Sequence, residues 1–101
     1  MLTLCVRYTF NPEKIADIRA YFEAEQPVIA RSGGKTVGCF APTDFAGPTN
    51  QAMWLIDFES LTAYEHYRSV LAADPEHMTN VKRLMASAAA VSMDRSIIER
   101  A

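Results

Sequence analysis

Residues 51–59 read QAMWLIDFE, and from Ala52 to Ile56 every position is apolar. A strand with one wet face alternates apolar and polar residues, so an unbroken apolar run implies cover on both faces. The length is right for a strand, and the flanking turn signals bound it: TDFAGPTN before and Ser60 after. A single layer of helices covers only one face of a sheet. The rest of the chain decides what covers the other.

Upstream, residues 2–10 (LTLCVRYTF) alternate and are rich in β-formers, with Leu2, Leu4, Val6, Tyr8 and Phe10 on one face. Asn11-Pro12 stops this strand and opens a helix, with Asn11 as N-cap and Pro12 at the first helical position. Ile15, Ile18, Phe22 and Ile29 follow at helical spacing until Gly33-Gly34. Pro27 lies inside that pattern, removes one hydrogen bond, and predicts a kink near Glu23 to Gln26. Residues 35–42 (KTVGCFAP) form a short strand. Downstream, Ser60 caps a helix running to Ala73, and Asp74-Pro75 repeats the cap-then-proline device. The stripe Met78, Val81, Leu84, Met85 and Ala88 marks the next helix, and Val91, Met93 and Ile97 alternate in a last strand.

The order β-α-β-β-α-α-β predicts one domain over 1–101. Its fold class is α+β, a ferredoxin-like βαββαβ sandwich with a four-stranded antiparallel sheet and helices on one face. If Trp54, Ile56 and Phe58 face the helices, Met53 and Leu55 project from the bare side. A second copy of the chain is the simplest cover, so a homodimer is expected.

Composition narrows the function classes. The chain of 101 residues is half hydrophobic, 22% charged and carries a net charge of −2. No basic stripe exists to neutralise phosphates, so nucleic acid is not an expected partner. No apolar run approaches the roughly 18 residues of a membrane span. The N-terminus shows no basic leader or small-residue cleavage site, and the expected compartment is the cytoplasm. Cys5 and Cys39 form neither a redox pair nor a zinc set. With the strand of Trp54 between theirs they stand about 9 to 10 Å apart, beyond the roughly 7 Å Cα separation of a disulfide. Both are expected to be free core thiols.

The densest polar cluster is AYEHYR, residues 63–68. At about 100° per residue, Leu61, Tyr64, Tyr67, Arg68 and Leu71 share a helical face while Glu65 and His66 point to water. The cluster is a helix face, with no nucleophile, base and orienter among its members. His77 differs, because it follows the Asp74 cap and shares the angle of Val81, Leu84 and Ala88. It is a hydrogen-bonded first-turn histidine in the ordinary case, and a general acid or base in the functional one. No metal set accompanies it, and no phosphate loop or Gly-x-Ser-x-Gly is present.

VRYTFNPEK (6–14), PVIARSGGKTVGCF (27–40) and DFESLTAYEHYRSVLAADPE (57–76) together resemble the small bacterial members of the NIPSNAP family. The similarity runs from Val6 to the closing DRSIIER. It implies pairing as a dimeric α+β barrel, two ferredoxin-like sheets face to face, and brings no catalytic residues and no cofactor. The wider structural relatives include cofactor-independent monooxygenases and small isomerases that use a pocket between sheet and helices, a likeness of fold alone. Two functions are therefore expected. The first is binding or conversion of a small apolar or aromatic metabolite in a pocket lined by Tyr8, Trp54, Tyr64 and His77. The second is a non-catalytic dimeric interaction module whose core is filled by Phe22, Phe40 and Trp54.

Overall fold

A computed structural model describes residues 1–101 as β1 (Leu2–Phe10), a 3-10 turn (Pro12–Lys14), α1 (Ile15–Arg31), β2 (Lys35–Phe40), β3 (Gln51–Phe58), α2 (Leu61–Ala72), α3 (Pro75–Ala86) and β4 (Ala90–Glu99). The strands form one antiparallel sheet in the order β2-β3-β1-β4. Each anticipated cap is made. Asn11 accepts from the Glu13 N–H, Ser60 from Ala63 and Asp74 from Glu76, satisfying N–H groups that a helix start leaves without partners. The Pro12 turn is 3-10 rather than α-helical, and α1 runs on through Pro27 to Arg31.

Register places Leu4, Val6 and Tyr8 beside Ile56, Trp54 and Ala52 on the helix side of the sheet. These residues meet Ile18, Phe22, Val28 and Ile29 of α1 in a single core. Phe22 packs edge to face on Trp54 at 5.2 Å between ring centres and on Tyr8 at 5.3 Å, near the preferred geometry of aromatic pairs. Gly34 makes this packing possible where α1 turns into β2. A Cβ there would lie 2.8 Å from Ile29 Cγ2 and 2.9 Å from Ile56 Cγ2.

The opposite face carries Cys5, Met53, Leu55 and Phe40, as the pairing Cys5↔Leu55 and Phe40↔Met53 dictates. Met53 and Leu55 are half-buried and Phe40 is exposed. Phe40 thus lies on the bare face and fills no core. Cys39 pairs with Trp54 and faces the helices, so the two free thiols sit on opposite faces of the sheet.

The third helix departs from the expected stripe. Met78 and Met85 are exposed, while Asn80 and Leu84 are buried and His77 and Val81 are half-buried. α3 packs chiefly on α1, and its inward line is rotated toward 77, 80 and 84. Ala88 lies beyond the helix, in a left-handed turn at φ 57°. Leu61, placed on the buried face of α2 by periodicity, is likewise exposed.

Candidate functional site

One buried carboxylate organises the interior. Glu25 sits on the sheet-facing side of α1 between Phe22 and Ile29, and only 1% of it is exposed. Tyr21 donates to Oε2 at 3.2 Å, Asn80 donates from Nδ2 to Oε1 at 3.2 Å, and His77 Nδ1 lies 2.5 Å from Oε2. Asn80 also reaches the Ala24 carbonyl, tying α3 to α1. A buried carboxylate persists only with its lone pairs satisfied, and here all three partners come from helical positions fixed by packing.

Beneath these groups, between helices and sheet, lies a cavity of about 30 Å³. Its walls are apolar, including Leu4, Val6, Ile29, Ile56 and Met93, and Glu25, His77, Tyr67, Arg68 and Arg95 supply polarity. Burial raises the phenols of Tyr8, Tyr21 and Tyr67 well above their ordinary value, so each stays a neutral hydrogen-bonding group. For Tyr21 the neighbouring Tyr8 and Glu25 add to the burial; for Tyr67 the charges of Arg68 and Arg95 act against it.

With Nδ1 held against a carboxylate, the neutral His77 ring carries its proton on Nδ1 and leaves the Nε2 lone pair free. Ser32 Oγ is the one side-chain polar atom both buried and without a partner, so Nε2, which makes no bond within the chain, is accessible. An oriented imidazole with a carboxylate behind it can accept and return a proton. No three His, Cys, Asp or Glu side chains gather as a metal set.

Of the residues expected to line a site, Tyr8, Trp54 and His77 do meet at this cavity. Tyr64 does not. It packs on Phe58 at 5.4 Å and stands behind Tyr67, which takes the inward position. Glu65 and His66 are exposed, as the helix phase requires. Sequence reasoning missed Glu25, Tyr21, Asn80 and Arg95. Glu25 had a signal: it falls between Phe22 and Ile29 on the apolar stripe of α1, where a carboxylate has no ordinary place.

Four antiparallel strands under three helices in this order define a ferredoxin-like α+β protein. The NIPSNAP family model matches residues 4–101, and the chain belongs to the NIPSNAP family. A NIPSNAP-like domain protein of Burkholderia xenovorans is similar at 26% identity and a TM-score of 0.82, over 99% of this chain and 84% of that one. Protein Atu4242 of Agrobacterium tumefaciens is 24% identical with a TM-score of 0.83, over 100% and 94%. The fold extends to SnoaB, a cofactor-independent oxygenase of Streptomyces nogalater, at 18% identity and a TM-score of 0.69 over 98% and 91%. None of the curated proteins matches the chain. Membership fixes the fold and no reaction. No helix is long and apolar enough to cross a membrane.

Proposed function

We propose that this chain binds a small apolar or aromatic metabolite between sheet and helices, and that any chemistry there is proton transfer through His77. Tyr8, Trp54 and His77 line the site, and Tyr64 supports it from behind through Tyr67. The observation that carries the reading is the Glu25–His77 pair at 2.5 Å against a mostly apolar cavity. A structural core gains little from a buried carboxylate with three donors, because apolar residues of equal volume pack as well at lower desolvation cost. The working form is a homodimer paired through the face of Cys5, Met53, Leu55 and Phe40, and the cytoplasm suits its two free thiols.

One observation favours the second reading, a non-catalytic dimeric interaction module. The cavity of about 30 Å³ admits a water or two, and Trp54, on its wall, is packed in place by Phe22. Arg68 and Arg95, exposed side chains at its rim, must swing aside to admit anything larger.

Native mass spectrometry of the purified protein, followed by thermal unfolding with a panel of small aromatic and aliphatic compounds, tests the choice. A bound molecule, or a compound that raises the Tm of wild type and not of His77→Phe, is expected. No adduct and no such compound would leave the interaction module standing.

A further inference from the structure

Arg68 reaches the cavity from α2 and Arg95 from the helix side of β4, where it stands beside Val6. Neither has a carboxylate partner, since the ion pairs of the chain involve only Arg31 and His77. This is no result of surplus basic residues: acidic side chains outnumber basic ones, 12 to 10. Both guanidinium groups act on the ionisation of the Tyr67 phenol, so their charge reaches the same end of the cavity from two elements. The Tyr67 hydroxyl makes no bond within the chain, and Ser32 Oγ is the sole unpartnered buried polar side-chain atom, so that hydroxyl is also accessible. Below this rim the walls are apolar, with Leu4, Val6, Ile29, Ile56 and Met93.

We infer that the ligand of this pocket is a small monocarboxylic acid, its carboxylate held at the rim by Arg68 and Arg95 after they move apart, and its apolar body entering as the cavity of about 30 Å³ widens to admit it. The inference rests on the pocket reading above and names its ligand class. A guanidinium is a fork of N–H donors that matches the two oxygens of a carboxylate, and the Tyr67 hydroxyl adds a third direction of donation. Charge balance selects a monoanion. Glu25 already places one negative charge beneath two positive ones, so a single further charge neutralises the site, and a phosphate dianion meets repulsion from Glu25.

The test titrates hexanoate and benzoate against hexanamide and benzamide, with inorganic phosphate as the anion control. Binding is followed in ¹⁵N-labelled protein by NMR. The acids are expected to bind at least tenfold more tightly than their amides. Arg68→Met and Arg95→Met each remove that preference, and Arg100→Met, a substitution on the exposed C-terminal segment, retains it. Both arginines are exposed, so these variants keep the fold. Amides binding as well as acids, or phosphate binding better, would overturn the carboxylate assignment and leave the pocket reading in place. If neither acids nor amides perturb cavity residues of wild type, the assignment fails together with that reading.

Discussion

His77 Nδ1 lies 2.5 Å from Glu25 Oε2, joining the first turn of α3 to the middle of α1 across 52 residues of chain. Glu25 is 1% exposed, whereas the His77 side chain is 22% exposed. Loss of either partner therefore has unequal consequences. Removing the histidine opens a path for water to the carboxylate, while removing the carboxylate leaves the Tyr21 hydroxyl without its acceptor and Asn80 with only the Ala24 carbonyl. Glu25→Ala is expected to cost about 2–4 kcal/mol and His77→Ala about 1–2 kcal/mol. His66→Ala, on an exposed turn, should stay within about 0.5 kcal/mol. Urea denaturation of the three variants measures this. A His66 effect larger than that of His77 would show the pair to be structurally idle.

Gly34 is a position of close approach. A methyl group there meets Ile29 and Ile56 at 2.8 and 2.9 Å, with a Tyr67 ring carbon at 3.3 Å. Those side chains are themselves packed, so the neighbours have little room to yield. Gly34→Ala is expected to destabilise by about 1–3 kcal/mol as an overpacked core site. Thermal unfolding checks it, and an unchanged Tm would mean that the junction of α1 and β2 is looser than the contacts imply.

Arg31 binds Asp74 through Nε at 2.9 Å and Nη2 at 3.0 Å, and Glu76 through Nη2 at 2.5 Å. Asp74 also caps α3. Loss of solvation pushes the Asp74 carboxyl up, but the guanidinium and the cap N–H groups together hold it below its ordinary value. A group lowered in the folded state contributes stability that is complete above the ordinary carboxylate range near pH 4 and is lost as pH falls through the lowered value. Stability of wild type should therefore decline from about pH 5 downward. Asp74→Asn should decline less steeply, and Arg31→Met, in which the carboxyl is held down less, should begin its loss at the same pH, lose less in total and finish at higher pH. Urea midpoints across an acidic pH series decide it.

The elements were legible because their signals are local. Asn11, Ser60 and Asp74 announce helix starts, and alternation along β1 and β3 fixes which side chains face the helices. The site was legible only in part, since its members break the rules that locate a core. Periodicity gave α3 a stripe of Met78, Val81, Leu84, Met85 and Ala88, with His77 at the angle of Val81 and Leu84. Both methionines instead face outward and the inward line takes in Asn80, so that His77 and Asn80 share a partner carboxylate 52 or 55 residues away. Glu25 was passed over for the same reason. Tyr64 and Tyr67 share one helical face, and spacing alone does not tell which of the two points into a cavity. Arg95 alternates toward the helices, yet β4 lies at the sheet edge beyond their cover, so its guanidinium remains exposed.

The bare face of the sheet is where two copies of the chain are expected to pair. Phe40 is 52% exposed, Ile98 47%, and Met53 and Leu55 are half-buried, all on the side away from the helices. Polar groups surround them: Arg7 and Asp94 stand opposite each other on β1 and β4, and Thr3 donates to Asp57 at 2.6 Å. An apolar centre with a polar rim is the usual composition of a protein–protein contact. The sheet presents that face to itself most economically about a two-fold axis, because one patch then serves both copies. Light scattering of wild type should give twice the 11.2 kDa chain mass. Leu55 stands between Cys5 and Gly38, near the middle of the patch, and a charge there has no partner once water is excluded. Leu55→Lys should halve the mass while leaving the far-UV circular dichroism of the folded chain. Wild type found as a monomer at micromolar concentration would refute the pairing, and a dimer unaffected by Leu55→Lys would move it to another surface.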